Sequence, residues 1–334
     1  MKKALLVLVV TAMIAVPAFA QFKVGLVTDV GGIDDRSFNQ GTWEGIVRFA
    51  QDYKLPKGNY KYLQSSAEAD YVPNLSTFAD EGLNLIIAPG FLFEQAMTQV
   101  AKNYPTRKFL IIDTVVSLPN VVSATFAEHE GSFLVGVAAA LKAKADGKNI
   151  LGFIGGMQFP LIEKFQAGFE QGVKAVYPDC KILVDYAGDF AAPDKGQALA
   201  QKQYNAGAYI IYHAAGGTGN GLIKEAKERQ QKGDNRWAIG VDKDQYADGI
   251  YSGNKSAVLT SMMKRVDVAA YEVSKMTMEG KFPGGQVLVF SLKNKGVGLP
   301  ENNPNLSADI MAKVKEYEAL IASGKLVVSE IPGK

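Results

Sequence analysis

The chain has 334 residues, with 36 Lys or Arg and 34 Asp or Glu, so its formal net charge is +2 at pH 7. The first twenty residues hold two of the lysines and no acidic residue, so the remainder is neutral, with 34 charges of each sign. This balance excludes a strongly basic protein, and we expect neither nucleic acid nor an anionic membrane as a partner. The single cysteine, Cys180, excludes an internal disulfide framework. The length exceeds that of one hydrophobic core, so two lobes are expected.

The N-terminal twenty residues have the pattern of a secretory signal peptide. Lys2-Lys3 is a positively charged start, residues 4–16 are an apolar segment, and Ala18-Phe19-Ala20 matches an A-x-A cleavage site. The apolar segment is short for a bilayer span, which favours cleavage after Ala20 over a membrane anchor. No cysteine lies directly after that segment, so no site for lipid attachment is predicted. We therefore expect a free periplasmic protein, exported by a cleaved signal peptide and without a lipid anchor.

Beyond that segment, short apolar runs alternate with amphipathic helical patterns almost throughout the chain. Most of the runs are apolar on both faces, which is typical of parallel strands covered by helices on each side. The pattern predicts an α/β fold with two doubly wound parallel-sheet lobes. The predicted strands are 24–27, 60–63, 83–88, 109–112, 121–125, 150–154, 182–184, 209–212, 237–241, 258–262 and 287–290.

The order of the elements also predicts how the chain is divided between the lobes. The composition changes at the end of the fifth predicted strand, and the later strands repeat the rhythm of the first five. We expect strand 258–262 and the helix after it to return to the first lobe, which then holds residues 21–126 and 256–284. The second lobe is expected to hold residues 127–255 and 285–334.

Polar residues and glycines follow the carboxyl ends of most predicted strands, where ligands bind in open α/β sheets. Residues 28–40, after the first strand, carry several carboxylates, an amide and Phe38 instead of a phosphate-binding glycine pattern. That composition favours a neutral polar ligand with an aromatic face over a nucleotide phosphate. Two facing rims of such turns predict a cleft between the lobes. The other strand-end positions are 89–91, Asp113, 155–157, 189–190, 216–219, Asp242 and Lys264.

Catalytic, metal and cofactor sites have little support in the sequence. Two histidines, His129 and His213, are too few for a histidine-rich metal cluster. The glycine-rich segment 216–221 has Leu222 where a dinucleotide loop needs its last glycine, and neither a G-x-S-x-G elbow nor a phosphate-binding P-loop occurs. The pair Asp34-Asp35 suits acid–base chemistry, but capping or solvated carboxylates are the favoured interpretation. We predict no enzyme activity, no metal and no cofactor.

Six short motifs occur in a fixed order along the chain. They are Asp29-x5-Asp35-x-Ser37-Phe38-Asn39; Gly155-Gly156-Met157 with Phe165-x-Ala167-Gly168-Phe169; Gly188-Asp189-Phe190 with Asp194-Lys195-Gly196; Ala215-Gly216-Gly217-Thr218-Gly219; Val241-Asp242-x-Asp244-Gln245; and Ser261-Met262-x-Lys264. The ordered set resembles the basic-membrane-protein (BMP) family of ABC-transporter substrate-binding proteins, and within it the PnrA-like purine nucleoside receptors. The resemblance covers about residues 22–330.

This resemblance implies a fold, a function and partners. The fold is the type I periplasmic-binding-protein fold, with two α/β lobes, a hinge of three crossovers and the ligand in the interlobe cleft. Members deliver nucleosides to the transmembrane subunits of an ABC permease, and we expect the same of this chain as a monomer. Many members are lipoproteins, and this chain departs from them because it lacks the acylated cysteine.

The resemblance also implies the residues that contact the base of a nucleoside. Phe38 and Phe190 match the aromatic pair that stacks on the two faces of the base, and such stacking contributes roughly 1–3 kcal/mol per face. Asn39 both donates and accepts hydrogen bonds, as a purine edge requires. Asp113 only accepts, which suits the N1–H of inosine or guanosine.

Five further residues are implied at the sugar end. Asp242 is expected to accept hydrogen bonds from both ribose hydroxyls, and Lys264 to donate to the sugar while it neutralises Asp242. Asp29 and the backbone of Gly217 and Thr218 are expected to complete this end of the site.

Several alternatives remain open from the residues themselves. The ligand is expected to be a purine nucleoside such as inosine, guanosine or adenosine, but a free nucleobase, a flavin or a sugar is the alternative. An enzyme acting on nucleosides needs an activated water, and the calcium-binding aspartate cluster of such enzymes is not evident. A transcription regulator of the same fold class needs an N-terminal DNA-binding helix pair, and the signal-peptide pattern stands in that place.

Overall fold

The computed structural model describes residues 22–333, so the predicted signal peptide lies outside the described residues. Strands and helices alternate through this range, as the sequence predicts. In chain order they are β1 (Val24–Val27), α1 (Phe38–Asp52), β2 (Tyr60–Leu63), α2 (Tyr71–Asp80), β3 (Leu85–Pro89), α3 (Glu94–Asn103), β4 (Phe109–Ile112), β5 (Val121–Phe126), α4 (Glu128–Ala145), β6 (Ile150–Gly155), α5 (Pro160–Val176), β7 (Lys181–Tyr186), α6 (Pro193–Asn205), β8 (Ile210–Ala214), α7 (Gly219–Gln231), β9 (Trp237–Asp242), β10 (Ile250–Ser252), β11 (Lys255–Ser256), β12 (Val258–Lys264), α8 (Val266–Met278), β13 (Val287–Phe290), β14 (Val297–Gly298) and α9 (Ala308–Ala322).

The strands form two six-stranded sheets with corresponding strand orders. The first sheet has the order β13-β5-β4-β3-β1-β2, and the second has the order β14-β12-β9-β8-β6-β7. All neighbours are parallel except β12 and β14. Strands β10 and β11 form a small antiparallel ribbon. The predicted α/β class with two doubly wound lobes is therefore confirmed.

Helices cover both faces of each sheet, which explains why the central strands are apolar throughout. In the first lobe α1 and α8 pack on one face and α2 and α3 on the other. In the second lobe α4, α5 and α9 pack on one face and α6 and α7 on the other. Every residue of β1, β3 and β4 is buried, as expected for strands with helices on each side.

The chain crosses between the sheets three times, but two of the predicted boundaries are wrong. Strand β12 pairs with β9 in the second sheet, although residues 256–264 were expected in the first lobe. Strand β13 pairs with β5 in the first sheet, although residues 285–290 were expected in the second lobe. Helix α8 does pack in the first lobe, against α1. Buried parallel strands have the same apolar pattern in either sheet, so their sequence does not indicate which sheet they join.

None of the helices within residues 22–333 combines the length and the apolar character needed to cross a membrane. Cys180 is buried and unpaired beside β7, and burial raises the pKa of its thiol to about 11. A buried thiol of raised pKa is an unreactive one.

Candidate functional site

A cavity lies between the two lobes, at the carboxyl ends of the central strands. It encloses about 580 Å³ of empty space, including its opening. Its walls come from the turns after β1, β3 and β4 in the first lobe and from β9, β12, α5 and the turns after β7 and β8 in the second. Eight of the nine predicted site residues line it: Asp29, Phe38, Asn39, Asp113, Phe190, Gly217, Asp242 and Lys264.

Lys264, at the end of β12, is the charged centre of the cavity. Its side chain is 2% exposed, and its ammonium donates to Asp113 Oδ2 at 2.6 Å and lies 3.1 Å from Glu128 Oε1. Because Asp113 follows β4 and Lys264 ends β12, this ion pair joins the two lobes. Burial alone lowers the pKa of Lys264, but its attraction to Asp113, Glu128 and Asp242 raises that pKa well above its usual value. The lysine is therefore positively charged at neutral pH.

The contact partners of Lys264 differ from the expected one. Asp242 was expected to pair with it, but the Asp242 carboxylate accepts a hydrogen bond from the Ser37 hydroxyl across the lobes instead. Burial raises the pKa of Asp242, and the electrostatic attraction of the ammonium offsets part of that rise. Glu128 was missed because its position in the first turn of α4 is where an acidic residue ordinarily stabilises a helix.

Asp113 and Asp242 occupy corresponding places in the two lobes. Each lies at the carboxyl end of the third strand of its sheet, counted from β13 and β14. Both have a left-handed backbone conformation, with φ of 72° and 66°. This conformation is costly for a residue other than glycine and is typical of functional sites. Two carboxylates thus enter the cavity from opposite lobes.

Asn39 has a different role from the predicted one. Its Nδ2 donates to Asp29 Oδ1 at 2.7 Å and to Asp35 Oδ2 at 3.0 Å, and its Oδ1 accepts from the Asp29 backbone N–H at 3.1 Å. An amide has two N–H donors, and both are engaged. Asn39 therefore positions two carboxylates, and the expectation that it pairs directly with a base does not fit these contacts.

The carboxylates of Asp29 and Asp35 are held in place by backbone groups. Asp35 accepts from the backbone N–H of Ser37, Asn39 and Gln40 and so caps the start of α1. Asp29 Oδ1 also accepts from the Gly31 backbone N–H at 2.8 Å. Burial raises the pKa of Asp29 to about 6.

Aromatic rings from both lobes surround the rest of the cavity. Phe38, at the start of α1, and Phe190, after β7, enter it from opposite lobes. Phe91, after β3, also lines the cavity, contacts Phe190 edge-on at 6.2 Å and stacks on Phe159 of the second lobe at 4.5 Å. The sequence singled out Phe91 only as a strand-end residue, and Phe159 not at all. The pair Phe91–Phe159 is thus an aromatic contact between the two lobes, beside the cavity.

Thr218 lies behind the cavity wall instead of in it. Its hydroxyl donates to the Asp189 carbonyl and accepts from the Ala192 backbone N–H, both at 2.9 Å. Its backbone N–H donates to the Phe190 carbonyl at 3.0 Å. Thr218 thus holds the loop that carries Phe190, while Gly217 lines the cavity itself.

The cavity is rich in hydrogen-bond acceptors. Five buried carboxyl groups line or adjoin it, and Lys264 is the basic side chain among its lining residues in the part of the chain that the structure describes. Within residues 22–333, Asp113 Oδ1 is buried without a hydrogen-bond partner. Across the same residues there is no group of three or more His, Cys, Asp and Glu side chains that could hold a metal ion. A ligand with several N–H and O–H donors suits this chemistry, and an anion does not. The carboxyl groups are those of Asp29, Asp35, Asp113, Glu128 and Asp242.

The ligand-free protein should be stabilised by Asp242→Asn more strongly at pH 7 than at pH 5. Burial raises the pKa of Asp242 from 3.8 to about 7, although Lys264 lowers it. Between those values the folded state holds a proton that the unfolded chain has released. The stability that this proton supplies is present below pH 4 and is lost as the pH rises through 7, at about 1.4 kcal/mol per pH unit.

We therefore expect the advantage of Asp242→Asn over the wild type to grow by about 2–3 kcal/mol from pH 5 to pH 7. Urea denaturation of both proteins at the two pH values measures it. Asp179→Asn, at an exposed position, is the control and should show the same small difference at both pH values. An advantage of Asp242→Asn that is independent of pH would show that this carboxylate is not titrating in the folded state.

Comparison with known proteins identifies the family. The family described as "ABC transporter substrate-binding protein PnrA-like" matches residues 22–331. The chain belongs to this family. The PnrA-like proteins are the substrate-binding components of ABC transporters, and these components are not enzymes. The predicted absence of enzyme activity is therefore confirmed.

Relatives of this PnrA-like protein match it over nearly their whole length. The "CD4+ T-cell-stimulating antigen" of Listeria innocua is 45% identical over 93% of this chain and 89% of its own. The "ABC transporter nucleoside-binding protein BmpA" of Lactococcus lactis is 39% identical over 92% of this chain and 88% of its own. A solute-binding protein of an ABC transporter system from Aeropyrum pernix superposes with a TM-score of 0.82, at 27% identity and 94% coverage of both chains. The type I periplasmic-binding-protein fold is thereby confirmed.

Proposed function

We propose that this PnrA-like protein binds a purine nucleoside between its lobes and delivers it to an ABC permease. The observation that carries the proposal is one cavity that combines two phenyl rings from opposite lobes, Phe38 and Phe190, with an acceptor-rich set of carboxylates around Lys264. The phenyl rings can stack on a flat base, and the carboxylates can accept hydrogen bonds from the N–H and O–H groups of the base and the sugar. The printed name of the Lactococcus lactis relative, a nucleoside-binding protein, supports the same ligand class.

At the base end, the free acceptor is Asp113 Oδ1. Its neighbour Oδ2 is engaged by Lys264, while Oδ1 is buried without a partner among the described residues. A buried acceptor that stays unpaired costs about 1–3 kcal/mol, so a ligand N–H that reaches it gains that energy. The N1–H of inosine or guanosine provides such a donor, and cytidine carries no ring N–H at the corresponding edge.

At the sugar end, Asp242 and Lys264 offer complementary groups. A carboxylate accepts from two vicinal hydroxyls at once, which fits Asp242 to the 2′ and 3′ hydroxyls of ribose. The Lys264 ammonium has three donors, two of which face Asp113 and Glu128, and the third is available to a sugar oxygen. Gly217 lies at the same wall, where its backbone approaches the ligand without a side chain between them.

The charge of the cavity selects against phosphorylated ligands. Carboxyl groups outnumber the ammonium of Lys264, which is already shared between Asp113 and Glu128. A 5′-phosphate brings about two negative charges into this acidic, poorly hydrated space. The proposal therefore concerns nucleosides and not nucleotides.

Isothermal titration of ligand-free residues 21–334 tests the proposal. We expect inosine and guanosine to bind more tightly than cytidine, and inosine monophosphate to bind at least about 100-fold more weakly than inosine, because the phosphate meets like charges. Asp242→Ala should lose about 2–4 kcal/mol of nucleoside binding, because the ribose hydroxyls lose their acceptor. Equal affinity for all four compounds, or a free nucleobase, flavin or sugar that binds more tightly than inosine, would overturn it.

The cellular part of the proposal rests on the sequence and the family. We infer that the chain is exported, cleaved after Ala20 and active in the periplasm as a monomer without a lipid anchor. Its transmembrane partners are the subunits of an ABC permease, which accept the nucleoside from the closed lobes.

A further inference from the structure

A short segment of the first lobe is held by side-chain amides of the second lobe. Asn220 Nδ2, on α7, donates to the Asp35 carbonyl at 3.0 Å, and Gln245 Nε2, after β9, donates to the Arg36 carbonyl at 3.1 Å. Neither amide lines the cavity. We refer to these two interlobe hydrogen bonds as the amide latch.

The Gln245 side chain is held with its donor facing the first lobe. Its Oε1 accepts from the Val241 backbone N–H at 2.9 Å and lies 3.0 Å from His213 Nε2. Because an amide oxygen only accepts, His213 Nε2 carries the hydrogen of this contact. These two donors fix the oxygen of the buried amide and leave its N–H groups for Arg36.

The segment held by the latch is itself strained and connected to the cavity. Arg36 has a left-handed backbone, with φ of 56°, a conformation that persists where surrounding contacts hold it. Asp35 offers its carbonyl to Asn220, while its carboxylate lines the cavity and caps α1. The latch therefore acts on the residue next to the ligand space without touching the ligand.

We propose that Asn220 and Gln245 are positioning residues that hold the lobes closed and set how long the ligand stays bound. The identity of the ligand rests on the proposed function, whereas closure of the lobes does not depend on which ligand binds. A ligand enclosed by both lobes leaves only after these hydrogen bonds break. Loss of the latch should therefore speed dissociation and leave association, which occurs to the open lobes, nearly unchanged.

Asn220→Asp is the sharpest variant. The carboxylate has nearly the shape of the amide but cannot donate to the Asp35 carbonyl. Asn220 lies in the first turn of α7, where a negative charge stabilises a helix, so the variant should fold. The matched control is Gln230→Glu on the same helix, since Gln230 Nε2 donates at 2.9 Å to the Arg236 carbonyl of its own lobe. Both variants exchange an amide for a carboxylate, but only one breaks the latch.

Stopped-flow measurement of inosine binding and release is the first arm of the test. We expect Asn220→Asp to raise the dissociation rate about 2- to 10-fold, the range for one lost hydrogen bond, with an association rate within about twofold of the wild type. Gln230→Glu should change neither rate. An unchanged dissociation rate in Asn220→Asp, or the same increase in both variants, would refute the latch while leaving nucleoside binding intact.

Small-angle X-ray scattering is the second arm and does not depend on the ligand assignment. The wild type and Asn220→Asp are compared as purified and with saturating inosine. A larger radius of gyration in the variant as purified supports the latch even if inosine does not bind, in which case the proposed function alone fails. Equal radii in both conditions overturn the latch.

Discussion

Lys264→Met should lose at least about 100-fold in nucleoside affinity, or about 3 kcal/mol. The substitution keeps the length of the side chain but removes the charge that neutralises Asp113 and Glu128, whose contacts with the ammonium are 2.6 and 3.1 Å. Both carboxylates are then buried without a counter-charge, and the donor to the sugar is lost. Calorimetry with inosine measures the affinity, and urea denaturation should show a less stable protein at pH 7.

The loss of stability should be smaller at pH 5 than at pH 7. Burial already raises the pKa of Glu128 to about 7, and removal of the lysine removes the interaction that lowers it. At pH 5 Glu128 then takes up a proton, and burial raises the pKa of Asp113 as well, so less unpaired charge remains than at pH 7. Adding Glu128→Gln to Lys264→Met should recover part of the stability at pH 7, because one of the two unpaired charges is gone.

Lys243→Met is the matched control for the lysine. Lys243 also joins the lobes, with its ammonium 2.8 Å from Gln40 Oε1 and paired with Glu44, but this ion pair lies at the surface, where such pairs contribute about 0–1 kcal/mol. If nucleoside affinity fell equally in both variants, or stayed at the wild-type level in Lys264→Met, Lys264 would not be part of the binding site.

Phe38→Ala and Phe190→Ala should each lose about 1–3 kcal/mol of purine nucleoside affinity. The two rings enter the cavity from opposite lobes. Truncation of either ring therefore removes the stacking on one face of the base. Titration with inosine and with ribose separates stacking from other effects, because ribose has no face to stack and its weak binding should change little.

Phe159→Ala is the control for these two substitutions. Phe159 stacks on Phe91 but does not line the cavity, so its loss should reduce inosine affinity less than the loss of Phe38 or Phe190. If Phe38→Ala and Phe190→Ala bound inosine as tightly as the wild type, the proposed base site would have to lie elsewhere.

The strands and the position of the cavity were predictable because their signals are local. Apolar runs define β1 to β9, β12 and β13 to within about two residues, and parallel strands bring their carboxyl ends to one edge. Strands β10, β11 and β14 were missed because two or three residues carry no periodicity. The sheet to which β12 and β13 belong was mispredicted, since tertiary packing decides it and both sheets accept the same apolar sequence.

The candidate site was predictable in its membership but not in its contacts. A strand-end position shows that a side chain such as Asp242 can reach the cleft, but not which group it meets there. Lys264 forms ion pairs with Asp113 and Glu128, and Asn39 donates hydrogen bonds to two carboxylates. The Lys264–Asp113 pair depends on how the lobes close on each other, and the Asn39 pairs depend on the conformation of the turn after β1, neither of which sequence spacing encodes.

A crystal structure of this protein grown with inosine examines the binding site most directly. We predict the purine base between the rings of Phe38 and Phe190, its N1–H on Asp113 Oδ1, and both ribose hydroxyls on Asp242. A nucleoside bound outside the interlobe cavity, or inside it with the base away from both rings, would contradict the proposed recognition of the ligand.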